Sequence, residues 1–315
     1  MKYFITLHQH KGNAIDNALR NNGWLFRHKN VDIALFDHHI NRSKPEEGRA
    51  IVSQYFQEGA TIITYPHGAT GAWWMDSDLH PPDKRVFANL VIGEGHKYVE
   101  EITQPHLEHY IIGWSYCPIK EFQKPEKIKK ILFAPIHASL KGNKLREECM
   151  DINTRVFKSL LELPREYVII VRHLNPLNVI GLWNNSRVRY NFAKPDGSYS
   201  DIDNCDLIIS EGTFMYLSVA RGKPTIGMSQ HIQVRPNESD KDFKLKNWDK
   251  YKDYMAYPLD FDDAPLNDLI TEAVSKEQSD WKKLFIGNEM NGENLSNLLK
   301  ELREKDISNK KIKEL

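Results

Sequence analysis

Short apolar runs alternate with helix-spaced segments along the whole chain, and this alternation leaves few folds open. Lys2–Leu7, Val31–Phe36, Thr61–Tyr65, Val86–Ile92 and Tyr110–Ile112 read as strands. Helices are predicted between them at Ala14–Asn21 and at Pro45–Glu58, where the proline takes the favoured first turn. The pattern then restarts. Strands are predicted at Ile131–Pro135, Glu166–Val171, Val188–Phe192, Asp206–Ser210 and Thr225–Met228, with helices at Asn143–Leu163 and Phe214–Ala220. Runs such as VII (168–170) and LII (207–209) have no polar face, as strands buried on both sides of a parallel sheet require. The expected fold class is α/β, with two Rossmann-like domains facing a cleft.

A length of 315 residues suits two domains of ~150 each. The charged segment EFQKPEKIKK, Glu121–Lys130, reads as the linker between them. Domains are therefore expected near 1–120 and 130–285. Residues 286–315 are expected to form a closing helix, with Leu295, Leu298, Leu299 and Leu302 on one stripe, and a frayed tail over DISNKKIKEL.

Forty-three basic and 43 acidic residues cancel, so no global charge draws the chain to nucleic acid or an anionic membrane. Cys117, Cys149 and Cys205 form no CxxC pair, which argues against a disulfide framework or a zinc knuckle. The N-terminal apolar stretch is too short for a signal peptide, and no window reaches the length of a membrane span. A cytoplasmic protein is expected, with membrane association at most peripheral.

Parallel sheets place ligands at the carboxyl ends of their strands. Pro66-His67-Gly68 follows Thr61–Tyr65, and Ile136-His137-Ala138 follows Ile131–Pro135. Arg172-His173 follows the strand at 166–171, and Glu211-Gly212-Thr213 opens a helix after Ser210. Each has a plain reading as a surface loop or a helix cap. Together they fit a phosphate site, in which a helix N-terminus, a glycine, hydroxyls and cations meet an anion. Trp73 and Trp74, after Gly68 and Gly71, fit either loop packing or the lining of an acceptor site.

The ordered set resembles the GT-B class of nucleotide-dependent transferases, within it the CDP-glycerol glycerophosphotransferase-like proteins. KIKKILFAPIHAS resembles the strand opening that group's second domain, and YVIIVRHLNPLN its basic-His strand end. DNCDLIISEGTFMYLSVARGKPTIGM resembles its nucleotide loop and helix, HLEHYIIGWSYCPI the end of the first domain, GNEMNGENLSNLLKEL the closing helix, and YPHG the His-Gly motif. The likeness spans roughly residues 60 to 305. The chain departs from the family at Glu211-Gly212-Thr213, where Asp-Tyr-Ser-Ser is usual, and at Ile136-His137-Ala138, where a Thr-Trp-Arg type loop is usual.

The resemblance implies transfer of a sugar or polyol-phosphate from a CDP- or UDP-linked donor to a hydroxyl acceptor, without metal or other cofactor. The acceptor would be a glycan, a polyol-phosphate polymer, DNA or protein. It implies catalytic roles for His67 and His173. His137, Arg172, Ser210, Glu211, Gly212 and Thr213 would hold the donor, with Lys223 adding charge, and Gly68, Trp73 and Trp74 would face the acceptor. UDP-sugar 2-epimerases share the architecture and stay open as an alternative. So does a metal-dependent phosphoesterase using Asp37-His38-His39, with His8, His10, Asp76, Asp78 and His80 as further ligands.

Overall fold

The structure, a computed structural model, describes residues 1–6, 11–37, 45–65, 84–94, 97, 101, 106–113, 119–135, 143–173, 186–192, 198–210, 212–228, 265–276, 287, 288 and 290–313. The chain forms two compact units, one of Met1–Tyr116 with Lys282–Leu315, the other of Cys117–Trp281.

The first unit holds a parallel sheet of β1 (Lys2–Ile5), β2 (Leu25–Phe26), β3 (Ile33–Asp37), β4 (Thr61–Tyr65), β5 (Val86–Val91) and β6 (Glu108–Ile111) in the order β2-β1-β3-β4-β5-β6. Strand alternation sends its apolar side chains to two faces. Ile33, Leu35, Ile63 and Leu90 pack under α1 (Lys11–Asn21) and α7 (Gly292–Lys313), through Ile15, Leu19, Leu295, Leu299 and Leu302. Ala34, Phe36 and Ile62 pack under α2 (Pro45–Gln57), through Val52 and Tyr55. Both faces are covered, which is why β3 has no exposed residue.

The second unit repeats the scheme with β7 (Lys130–Ala134), β8 (Val168–His173), β9 (Val188–Phe192), β10 (Leu207–Ser210) and β11 (Thr225–Gly227), all parallel, in the order β11-β10-β7-β8-β9. Ile131, Phe133, Ile169, Val171, Leu207 and Ile209 point to α3 (Asn143–Glu162) and α6 (Leu266–Ser275). α4 (Ser198–Asp203) leads into β10, and α5 (Gly212–Ala220) leaves it. α5 is apolar on every side and buried from Met215 onward, as a helix enclosed by its own domain should be.

Two expectations are corrected. The charged stretch after residue 120 is tied into the second unit: Lys120 N–H donates to Ala220 O at 2.7 Å, and Gln123 N–H to Gly222 O at 3.3 Å. The tail expected to fray is helical as far as Lys313. Asp306 holds it down, for it is 6% exposed and accepts from Thr61 Oγ1 and Lys310 Nζ, each at 2.7 Å. Arg303 Nη1 also donates to Gly59 O at 2.7 Å. Among the described residues no helix is long and apolar enough to cross a membrane.

Candidate active site

In the second sheet the chain moves from β7 outward to β8 and β9, then returns to the other side of β7 for β10 and β11. The strand order reverses between β7 and β10, and the carboxyl ends of those two strands are where such a sheet takes its ligand. Ala134 and Ser210 are register partners there. Ala134 supplies only a methyl group, so little side chain stands over the reversal point.

Ser210 lies on the face opposite Leu207 and Ile209, by alternation. It is 0% exposed, and among the described residues its hydroxyl has no hydrogen-bond partner. Such a hydroxyl carries an uncompensated desolvation cost. Two residues later Gly212 begins α5, whose first turn leaves backbone N–H groups unpaired within the helix. A buried hydroxyl and a helix start thus follow one another at the strand end, and the group such a pair suits is an anion with acceptor oxygens.

Arg172 extends from β8, one strand beyond β7 and therefore about 10 Å across the sheet from Ser210 at ~4.8 Å per strand. Its Nε donates to Asp201 Oδ2 at 2.9 Å, and its guanidinium lies 4.6 Å from the centre of the Phe214 ring at the start of α5. Asn191, the register partner of Arg172 on β9, donates to Asp201 Oδ1 at 3.3 Å. Burial pulls the Arg172 guanidinium below its ordinary pKa, and the hydrogen bond and charge of Asp201 oppose this. Arg172 is thus engaged by Asp201 and Phe214, and it braces the strand end and the entry to α5. Sequence reasoning missed Asp201 and Asn191, because Asn191 is brought beside Arg172 by the register of β8 against β9 and Asp201 by the placing of α4.

His173 is the last residue of β8, paired in register with Phe192. The strand runs two residues further than expected, taking in both Arg172 and His173. Gly212 and Thr213 are the first two residues of α5. His137 and Glu211 lie outside the described residues, as do His67, Gly68, Trp73 and Trp74 of the first unit.

Lys223 needs a correction. It precedes β11, after α5 has run back along the sheet, and so stands at the amino ends of the strands. Its Nζ donates to Asp203 O at 3.0 Å. The Asp203 carboxylate takes Arg221 Nε at 3.0 Å and Lys120 Nζ at 2.9 Å. Its hydrogen bond to Arg221 lowers the Asp203 pKa to about 2 against the cost of burial, with Lys120 adding to the effect. This cluster ties residue 120 to the far end of the sheet and is structural.

In the first unit a polar row crosses β4, β5 and β6, from half-buried Thr64 to buried Asn89 and His109. Thr64 Oγ1 donates to Asn89 Oδ1 at 3.0 Å, and Asn89 Nδ2 faces His109 Nδ1 at 3.1 Å. Because the amide oxygen accepts from Thr64, its NH2 is the donor to His109, and Nδ1 is the accepting nitrogen. Asp37 ends β3, 1% exposed, with its N–H donating to Thr6 Oγ1 at 3.0 Å. His38 and His39 lie outside the described residues, as do His8, His10, Asp76, Asp78 and His80.

No protein-family model and no curated protein matches the chain. Among solved structures it is similar to the glycosyltransferase SnogD from Streptomyces nogalater, with TM-score 0.52 at 12% identity over 96% of this chain and 99% of that one. It is also similar to the glycosyltransferase VinC in complex with DTDP, with TM-score 0.50 at 10% identity over 97% and 100%. The wall teichoic acid polymerase TagF aligns more loosely, with TM-score 0.44 at 11% identity over 98% and 90%, and decides nothing about polyol-phosphate chemistry. The two parallel-sheet units have the GT-B glycosyltransferase fold.

Proposed function

We propose that this chain is a nucleotide-dependent glycosyltransferase that moves a sugar from a nucleoside-diphosphate donor to a hydroxyl acceptor. The observation that carries the reading is the Ser210 hydroxyl, buried and without a hydrogen-bond partner among the described residues, at the reversal point of the second sheet and two residues before α5. A donor diphosphate supplies the acceptor oxygens that this hydroxyl and the α5 amides lack. Thr213 and His173 stand at the neighbouring helix start and strand end and complete the donor set.

In the transfer, the bond between the anomeric carbon and the diphosphate oxygen breaks, and the acceptor oxygen forms its bond to that carbon. The electron pair of the broken bond leaves on the diphosphate, where Ser210 and the helix dipole stabilise it. The acceptor proton goes to His67, the base that the family resemblance implies. In this reading Ser210 and the α5 dipole meet the charge on the leaving group without a metal. Polyol-phosphate transfer is a second reading, favoured by the motif order from KIKKILFAPIHAS to the closing helix.

The test is thermal stabilisation of the protein by uridine, thymidine, cytidine, adenosine and guanosine diphosphates, with and without chelator, in the wild type and in Ser210→Ala. A nucleotide at 100 times its dissociation constant adds about 2.7 kcal/mol. The reading expects a base-selective shift that is reduced in Ser210→Ala and indifferent to chelator. Cytidine selectivity would favour polyol-phosphate, and uridine or thymidine a sugar. A protein that responds to no nucleotide would remove the proposal.

A further inference from the structure

We propose that a separate cavity on the first unit binds a neutral sugar ring. The cavity, of about 310 Å³, lies where β6 ends and α7 begins. One wall is apolar, formed by Ile111 and Ile112 with Leu295 and Leu298. The other is formed by three carboxamides, Asn288, Asn291 and Asn294, at every third position along the chain.

The walls are fixed in place. Ile112 N–H donates to Val91 O at 2.8 Å and Gly113 N–H to Ile92 O at 3.1 Å, which extends the sheet contact past β6. Gly287 has a φ of +60° and sits so close to the sheet that an added Cβ would lie 2.8 Å from Ile92 O. At the start of α7, a Cβ on Gly292 would lie 2.8 Å from Asn22 Nδ2 and 3.3 Å from Ala18 Cβ. Gly287 and Gly292 therefore lie close against the strand end and α1, one on each side of Asn288 and Asn291.

The lining selects the ligand. A helix start commonly draws an anion, but here Asn291 Oδ1 already accepts the N–H groups of Glu293 at 2.8 Å and Asn294 at 3.3 Å. Leu295 N–H is taken by Asn291 O at 3.0 Å. Among the described residues no Lys, Arg or His lines the cavity, and the capped helix start offers a phosphate little in their place. Carboxamides both donate and accept, which matches vicinal hydroxyls, and the Ile–Leu wall matches the C–H face of a pyranose. The volume is at the small end of ligand pockets, ~300–1,000 Å³, and suits one ring. That the ring belongs to the acceptor rests on the transferase reading; the binding itself does not.

The experiment titrates the full chain with methyl glucoside, methyl galactoside and methyl N-acetylglucosaminide, and with inorganic phosphate as the charged comparator, followed by ligand-observed NMR. Saturable binding of at least one glycoside is expected. It weakens about tenfold or more in Asn288→Ala/Asn294→Ala, the effect of losing one or two hydrogen bonds, and disappears when Leu298→Trp fills the cavity. Both asparagines are exposed, so the double variant carries the test if the tryptophan variant fails to fold. The proposal is overturned if no glycoside saturates, if the double variant binds like the wild type, or if phosphate competes. Nucleotide stabilisation measured on the same proteins separates the two readings. Its absence in the wild type removes the transferase and leaves the sugar site, while intact nucleotide binding without glycoside binding does the reverse.

Discussion

Arg172 and Asp201 form an ion pair of 2.9 Å with only 10% and 18% of their side chains exposed. Removing the carboxylate takes this counter-charge from a guanidinium in a site with little water. Asp201→Ala should therefore lose about 3–5 kcal/mol of stability, and Asp201→Asn, which keeps an acceptor, clearly less. Urea denaturation measures both, and equal losses would show that the charge is not what matters.

Ser210→Ala has an expected sign opposite to that of most core polar deletions. The hydroxyl it removes is buried and has no partner among the described residues, so the unliganded protein should be unchanged or gain up to about 2 kcal/mol. A loss greater than about 1 kcal/mol in the same denaturation would mean that the hydroxyl is satisfied in solution.

Gly222 and Gly59 offer a matched pair, with φ of +71° and +82°. A Cβ on Gly222 would meet Glu121 O at 2.1 Å, while one on Gly59 meets nothing within 4 Å. Gly222→Ala should cost about 2–5 kcal/mol from strain and overlap together. Gly59→Ala should cost about 1 kcal/mol from backbone strain alone. Similar values for the two would show that residue 121 moves aside freely.

Asp203 makes stability depend on acid. Its folded pKa of about 2 lies below the ordinary carboxylate value of ~3.9, so its contribution is present above that value and lost as pH falls through about 2. Asp203→Asn should flatten the stability profile between those two pH values. Chemical denaturation in steps across that window reads the difference from wild type.

Thr61 Oγ1 and Asp306 Oδ2 meet at 2.7 Å across a separation of 245 residues. Asp306→Ala should cost about 1–3 kcal/mol, because the fully buried Thr61 loses its acceptor. Hydrogen exchange should then show protection falling first in residues 303–313. Unchanged exchange there would mean that the apolar stripe alone holds the helix.

The sequence disclosed the strands best where they are buried on both faces, because runs such as Val168–Val171 and Leu207–Ile209 have one interpretation at their length. β2 is only two residues, Leu25 and Phe26, and leaves no periodic signal. α4, SYSDID, carries one apolar residue in its core-facing turn and was missed for that reason. The extent of α7 depends on Asp306 finding Thr61, a contact set by tertiary structure alone. In the site, Ser210 could be placed from its position after an apolar run and before Gly212. Lys223 was assigned to the wrong end of the sheet, because composition shows a charge but not the direction in which a helix returns. The signal for the sugar cavity was present in GNEMNGEN, as asparagines three residues apart, and only the fold shows that they share a wall.

The first unit is assembled from both ends of the chain, and Leu295, Leu299 and Leu302 complete the core beneath β1, β3 and β4. During synthesis those leucines emerge long after the strands they cover. At ~5–20 residues per second, the interval between residues 116 and 292 lasts roughly 10–35 s. For that time α1 alone covers that face of the nascent amino-terminal sheet, while the second unit is made in one uninterrupted stretch and can mature first. A chain that stops short of residue 292 would hold a complete second unit attached to an amino-terminal half whose core lacks Leu295, Leu299 and Leu302.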